Sequence, residues 1–113
     1  MVRREDMFIR NLGGTLMWDE TPLVDFEIRN GELIKCEPRS SSRMYYPYEL
    51  SRLGFKYSSF NLFFRERVVL DGSQDIHTYL WAMDMDKYDF ETLVKKNHGR
   101  NYLDKYWIKD MIE

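Results

Sequence analysis

Three aspartates in the stretch MDMDKYDF, Asp84, Asp86 and Asp89, are spaced like the opening ligands of a calcium loop. An EF-hand loop also needs glycine at its sixth position and a bidentate glutamate at its twelfth. Asp89 and Lys95 occupy those places here, so the aspartates read as caps and loop charges ahead of a helix. His77 and His98 are the only histidines, and Cys36 is the only cysteine. None of the three stands at a zinc-ligand spacing, so no metal is expected. His77 lies beside the apolar stripe of its segment and reads as a solvated edge residue. His98 precedes Gly99, where a helix should stop. Cys36 falls on the apolar side of a strand pattern, where a thiol is normally inert packing. There is no GxSxG, P-loop or GxGxxG, and Gly13-Gly14 alone makes no phosphate cradle. Nineteen acidic residues always offer some carboxylate pair, so none is assigned acid–base work. The expectation is a protein that is not an enzyme, with no catalytic residue and no cofactor.

Recognition is the chemistry left. Residues 39–67 carry six basic side chains (Arg39, Arg43, Arg52, Lys56, Arg65, Arg67) against two acidic ones (Glu49, Glu66), although the whole chain has net charge −2. Tyr45, Tyr46 and Tyr48 are interleaved with them. Arg39, Arg43, Tyr45, Tyr46, Tyr48, Arg52 and Lys56 therefore form the candidate partner surface, facing an acidic protein. Basic residues mixed with stacking aromatics also suit single-stranded nucleic acid, a reading that the negative net charge disfavours. The plainest alternative pairs these cations with the acidic flanks.

The chain ends in NHGRNYLDKYWIKDMIE, unusually aromatic for a terminus. Tyr102, Asp104, Tyr106 and Trp107 read as a structural clasp, one helical turn folded back onto an apolar layer. In that reading Trp107 is largely buried with its indole N–H bonded. Asp104 accepts backbone hydrogen bonds at the turn.

The elements that must hold these residues follow from periodicity. Val24, Phe26 and Ile28 alternate with charged residues, as in a half-buried strand. Asn30-Gly31 then signals a hairpin. A two-residue loop would set Ile28 opposite Leu33 and Phe26 opposite Lys35. A three-residue loop, Arg29-Asn30-Gly31, would pair Phe26 with Ile34 and Val24 with Cys36, and is preferred because one face is then apolar. Gly13-Gly14 is read as a turn between strands Met7–Asn11 and Thr15–Trp18. Beyond Ser40-Ser41-Ser42 the period becomes helical. Phe60, Phe63 and Phe64 mark one helix, with Ser58 as N-cap. Ile76, Tyr79, Leu80 and Met83 mark a second, opened by Asp71 and Gln74. Phe90, Leu93 and Val94 mark a third, with Asp89 as N-cap and Gly99 as the left-handed stop. A shorter helix is expected around Pro47–Leu53. The fold class is α+β: a small antiparallel sheet from the N-terminal third, packed against three main helices and a C-terminal aromatic turn.

The 113 residues suit a single domain, residues 1–113. At 43% hydrophobic and 16% aromatic the chain can fill a core. Its longest apolar runs, such as Val68-Val69-Leu70, are too short for a bilayer, so no membrane association is expected. No apolar stretch follows Arg3 and Arg4, so no signal peptide is read there. A lone cysteine fits a cytoplasmic location.

From Thr21 onward the chain resembles the N-terminal segment of a HipA-like serine/threonine kinase family of Firmicutes. TPLVDFEI resembles the family's first strand. Phe63-Phe64 and Arg67 match its aromatic pair and arginine. The helices at 74–83 and 90–98, Gly99, and Asp104-Lys105-Tyr106-Trp107-Ile108 match the order that follows. Leu70 and Ser73 depart from the family's proline and second arginine. The family's nucleotide-binding and catalytic residues lie beyond the matched segment, so the resemblance assigns none here. It implies a small, non-catalytic regulatory lobe that binds another protein. In split HipA toxin–antitoxin systems such a lobe restrains the kinase. A small phage or mobile-element inhibitor of a host defence effector, anti-CRISPR-like, is the competing expectation.

Overall fold

The computed structural model describes residues 8–39, 43–68, 76–82, 84–101 and 104–112. Met7, Asp71, Gln74, Leu70, Ser73, Met83 and Tyr102, all invoked above, lie outside the described residues, as do the side chains of Arg43, Ile76 and Tyr79. The architecture is α+β. Strands β1 (Leu12–Trp18), β2 (Thr21–Arg29), β3 (Glu32–Pro38) and β4 (Tyr106–Ile112) form an antiparallel sheet in the order β3-β2-β1-β4. Between β3 and β4 come a 3-10 turn (Arg43–Tyr45) and helices α1 (Tyr48–Leu53), α2 (Tyr57–Arg65), α3 (Ile76–Ala82) and α4 (Phe90–Lys96). No helix among the described residues is long and apolar enough to cross a membrane.

The strand alternation has the expected cause. Val24, Phe26 and Ile28 enter the core, whereas Asp25 and Glu27 take partners on the other face: Thr15 Oγ1 donates to Asp25 at 2.6 Å, and Arg29 pairs with Glu27 at 2.5 Å. Phe60 stacks on Phe26 at 4.8 Å between ring centroids, and Phe64 lies 6.1 Å from Phe26. Leu50, Phe90 and Val94 complete this layer from the other helices. Leu80 of α3 and Leu93 of α4 form a smaller cluster with Val68, Met85 and Tyr88 around it.

Four expectations need correction. The β2–β3 loop has two residues, not three: Asn30 and Gly31 both take positive φ (52° and 75°), the requirement of a primed hairpin turn whose twist matches its strands. Ile28 therefore faces Leu33. A register shift beside Glu27 then displaces Ile34, which is 57% exposed, and brings Cys36 opposite Phe26 and Pro38 opposite Val24. The apolar face is recovered by a bulge rather than by loop length. Gly13-Gly14 is not a turn but the interior of β1, which runs between β2 and β4. The C-terminal segment is not a helical turn but strand β4, with Leu16 opposite Ile108 and Trp18 opposite Tyr106. Finally, α2 starts at Tyr57, with Lys56 rather than Ser58 at the N-cap.

Gly14 explains how β4 fits. Its φ is 141°, and a Cβ there would lie 2.7 Å from both Ile108 Cγ2 and the Lys109 carbonyl oxygen. The register between β1 and β4 shifts at this point, where Asp110 takes a φ of 53°. Gly14→Ala should therefore lower stability by about 2–3 kcal/mol through strain and overpacking. Urea unfolding checks this; an unchanged midpoint would mean that β4 does not close on Gly14.

Candidate interaction surface

The segment after β3 is folded against the sheet by its buried members. Tyr46, only 9% exposed, donates its hydroxyl to the Leu23 carbonyl at 2.7 Å and meets Phe55 edge-on at 5.2 Å. Tyr46 is therefore a core residue, which corrects its place in the candidate partner surface. Leu50 anchors α1 at 1% exposure. With those two residues inward, their neighbours face out. Met44, Tyr45, Tyr48, Leu53 and Phe55 are five of the nine large hydrophobic residues exposed among the described residues. Tyr48 is 67% exposed, and the Arg52 guanidinium lies 6.0 Å from its ring centre. Lys56 is exposed at the start of α2, whereas Arg39 sits apart, 3.7 Å from Asp25. Arg43 lies in the 3-10 turn. The face thus unites Tyr45, Tyr48, Arg52 and Lys56 from the sequence-based set and adds Met44, Leu53 and Phe55.

Behind this face lies a buried ion pair. Arg67, with its side chain 5% exposed, donates from Nη1 and Nη2 to Asp104 Oδ2 and Oδ1 at 2.7 and 2.6 Å. Its Nε donates to the Gly99 carbonyl at 2.6 Å, and Nη2 also reaches the Tyr106 carbonyl at 3.3 Å. The guanidinium lies 4.8 Å from the Phe63 ring centre and 5.7 Å from that of Tyr106. Asp104 also accepts the Tyr106 amide at 3.0 Å. Burial alone would raise the Asp104 carboxyl. The Arg67 hydrogen bonds, the Tyr106 amide and the Arg67 charge outweigh it and hold the group below its ordinary value. Tyr106 is pushed up to about 12 by burial, with the Asp104 and Glu49 charges adding to the rise, so its hydroxyl stays protonated. That hydroxyl donates to the Tyr45 carbonyl at 2.7 Å.

Trp107 is half-buried rather than largely buried. Its indole N–H donates to the Asp19 carbonyl at 2.7 Å, and Arg100 lies 4.8 Å from its ring centre. β4 is an edge strand of the sheet.

The α4 terminus departs from expectation in one detail. His98, with a φ of 53°, takes the first left-handed position after Asn97, and Gly99 follows at 69°. The Gly99 amide bonds the Val94 carbonyl at 2.9 Å and the His98 amide bonds Lys95 at 3.1 Å, a Schellman arrangement. The His98 carbonyl accepts the Ile108 amide at 2.8 Å, which covers part of the outer edge of β4. His98 and His77 are exposed, and Cys36 is half-buried with its thiol pushed up by desolvation. No group of three metal-ligating side chains occurs among the described residues.

Sequence reasoning missed three connections, each between distant residues. Glu91 accepts the amides of Arg10 and Asn11; burial raises its carboxyl, but these bonds and Lys95 outweigh it and lower it. Asn61 accepts the Ile9 amide at 2.7 Å inside the core. Glu49 and Glu66 meet at a cleft of about 220 Å³ also lined by Tyr48, Arg67, Asn101 and Tyr106, and the Glu49 carboxyl raises that of Glu66. No local pattern marks such pairs.

No family model matches the chain, and no curated protein or solved structure matches it either. The HipA-like resemblance rests on its sequence motifs alone.

The lowered Asp104 carboxyl has a sign. Stability from a depressed carboxyl is present above its unfolded value, about 3.9, and is lost as pH falls through the folded one. Asp104→Asn leaves Arg67 buried without its counter-charge and should cost about 3 kcal/mol at pH 7. The gap to the unsubstituted protein should narrow at pH 3. Urea unfolding at both pH values checks this; an equal gap at both would remove the ion pair from the account.

Proposed function

We propose that the chain is a non-catalytic regulatory module that binds another protein through the face formed by the 3-10 turn, α1 and Phe55. The carrying observation is the concentration of exposed Met44, Tyr45, Tyr48, Leu53 and Phe55, with Arg52 among them, on one short stretch. Aromatic residues, methionine and arginine are the types enriched where proteins meet. Large exposed apolar clusters are uncommon on surfaces that meet only water. The face is also preorganised. Tyr46 and Leu50 pin it from below, and the Tyr106 hydroxyl holds the Tyr45 backbone. Less ordering entropy is then lost on binding. Arg52 and Lys56 give it a positive edge, which favours an acidic partner surface.

The sequence resemblance suggests the partner's class: a HipA-like kinase in the cytoplasm, restrained by this free-standing lobe. The test uses Tyr48→Ala/Arg52→Glu, both exposed positions, beside the unsubstituted chain. Each is used as bait in extract from the source cell, followed by mass spectrometry. The expected result is a kinase captured by the unsubstituted chain and lost from the double variant, with melting temperature unchanged. Arg52→Glu alone should slow association with it about tenfold at low salt. Equal capture by both baits would overturn the proposed face. A defence effector or single-stranded nucleic acid in place of the kinase would overturn the proposed partner.

A further inference from the structure

The cleft beside Tyr48 contains an unusual pair. Glu49 of α1 and Glu66, just after α2, both line it, and the nearby Glu49 carboxyl raises that of Glu66. Two carboxylates that line one cleft repel each other, which favours a cation between them. The Arg67 guanidinium, which also lines the cleft, is already turned to Asp104, Gly99 and Tyr106. Among the described residues neither Glu49 nor Glu66 forms a salt bridge. At about 220 Å³ the cleft is smaller than the roughly 300–1,000 Å³ usual for small-molecule sites. It has room for one long side chain.

A suitable side chain lies on the same helix. Helix α1 reads YELSRL, with Glu49 in its first turn and Arg52 in its last. Arg52 is exposed, with its own Tyr48 ring 6.0 Å away. This charge order is self-complementary. When two copies of α1 lie antiparallel about a two-fold axis, Glu49 of each meets Arg52 of the other, and Tyr48 meets Leu53. Met44 and Tyr45 then flank the contact on both sides. An isologous interface requires this reciprocity.

We propose that α1 packs against α1 of a second copy of this chain, each Arg52 entering the Glu49–Glu66 cleft of the other. The inference rests on the docking face described above and adds its regulation: self-association covers the face, and a partner must displace the second copy. One six-residue helix and its flanks make a small contact, so the dimer is weak and concentration-dependent.

Sedimentation velocity over a concentration series tests this, with melting curves confirming that each variant is folded. The mass should rise from 13.8 kDa toward twice that value as concentration increases. Arg52→Glu and Glu49→Arg, each alone, should remain monomeric because like charges then oppose each other. An equimolar mixture of the two variants should associate again, and the double variant Glu49→Arg/Arg52→Glu should dimerise alone. A monomer at every concentration would overturn the self-contact. So would folded single variants that still dimerise, or a mixture that fails to associate. Partner capture lost in Tyr48→Ala/Arg52→Glu would still stand in those cases, so the docking face and the self-contact fail separately.

Discussion

A guanidinium taken out of water is costly unless every direction it points in holds an acceptor, and the Arg67 side chain is 5% exposed. Four of its five N–H donors are taken up by the Asp104 carboxylate and the Gly99 and Tyr106 carbonyls, between the Phe63 and Tyr106 rings. These acceptors belong to separate parts of the chain: the stop of α4, the turn after it and the first residue of β4. A single side chain at the end of α2 therefore sets where the C-terminal segment begins its path along β1. The Ile108 amide on the His98 carbonyl and the glycine at position 14 continue the same fit.

The face proposed for docking inherits its position from that arrangement. Tyr106 is placed by Asp104 and Arg67, and its hydroxyl fixes the Tyr45 backbone. Trp18 lies 4.8 Å from Tyr106 and 6.4 Å from Tyr45, which links the face to the end of β1. The exposed residues of that face are thus carried on a short helix and turn, but their support is the sheet. The carboxyl pair at the cleft adds a polar feature to this apolar face. The Glu49 hydrogen bond, with burial and the Glu49 charge behind it, raises the Glu66 carboxyl, and a cation brought to the cleft would lower it again.

Periodicity made the local elements legible. The alternation of Val24, Phe26 and Ile28 and the helical spacing of Phe60, Phe63 and Phe64 each reflect one buried face, which a short window of residues records. Asn30-Gly31 announced its turn for the same reason, because left-handed backbone favours those residue types. The bulge at Ile34 was not legible, since it depends on which residue β2 places opposite. β4 was misread because Tyr102 and Tyr106 have helical spacing, whereas strand pairing with β1 is decided by residues about ninety positions earlier. Arg67 belonged to a basic stretch by composition. Only the fold brings Asp104 to it, and that removes it from the charged surface. Tyr46 was likewise indistinguishable from Tyr45 and Tyr48 until Leu23 supplied its acceptor.

The central claim is that β4 is a full member of the sheet, fastened through Arg67. Native-state hydrogen exchange of the Trp107 amide, which faces β1 because the Ile108 amide points out to His98, tests this most directly when compared with the Leu16 amide of β1. The account predicts that both exchange only through global unfolding, with equal protection that changes together in denaturant. In Arg67→Lys, which keeps the charge but loses the fork of donors, the Trp107 amide should lose protection before Leu16 does. A Trp107 amide that exchanges much faster than Leu16 in the unsubstituted protein would contradict the claim.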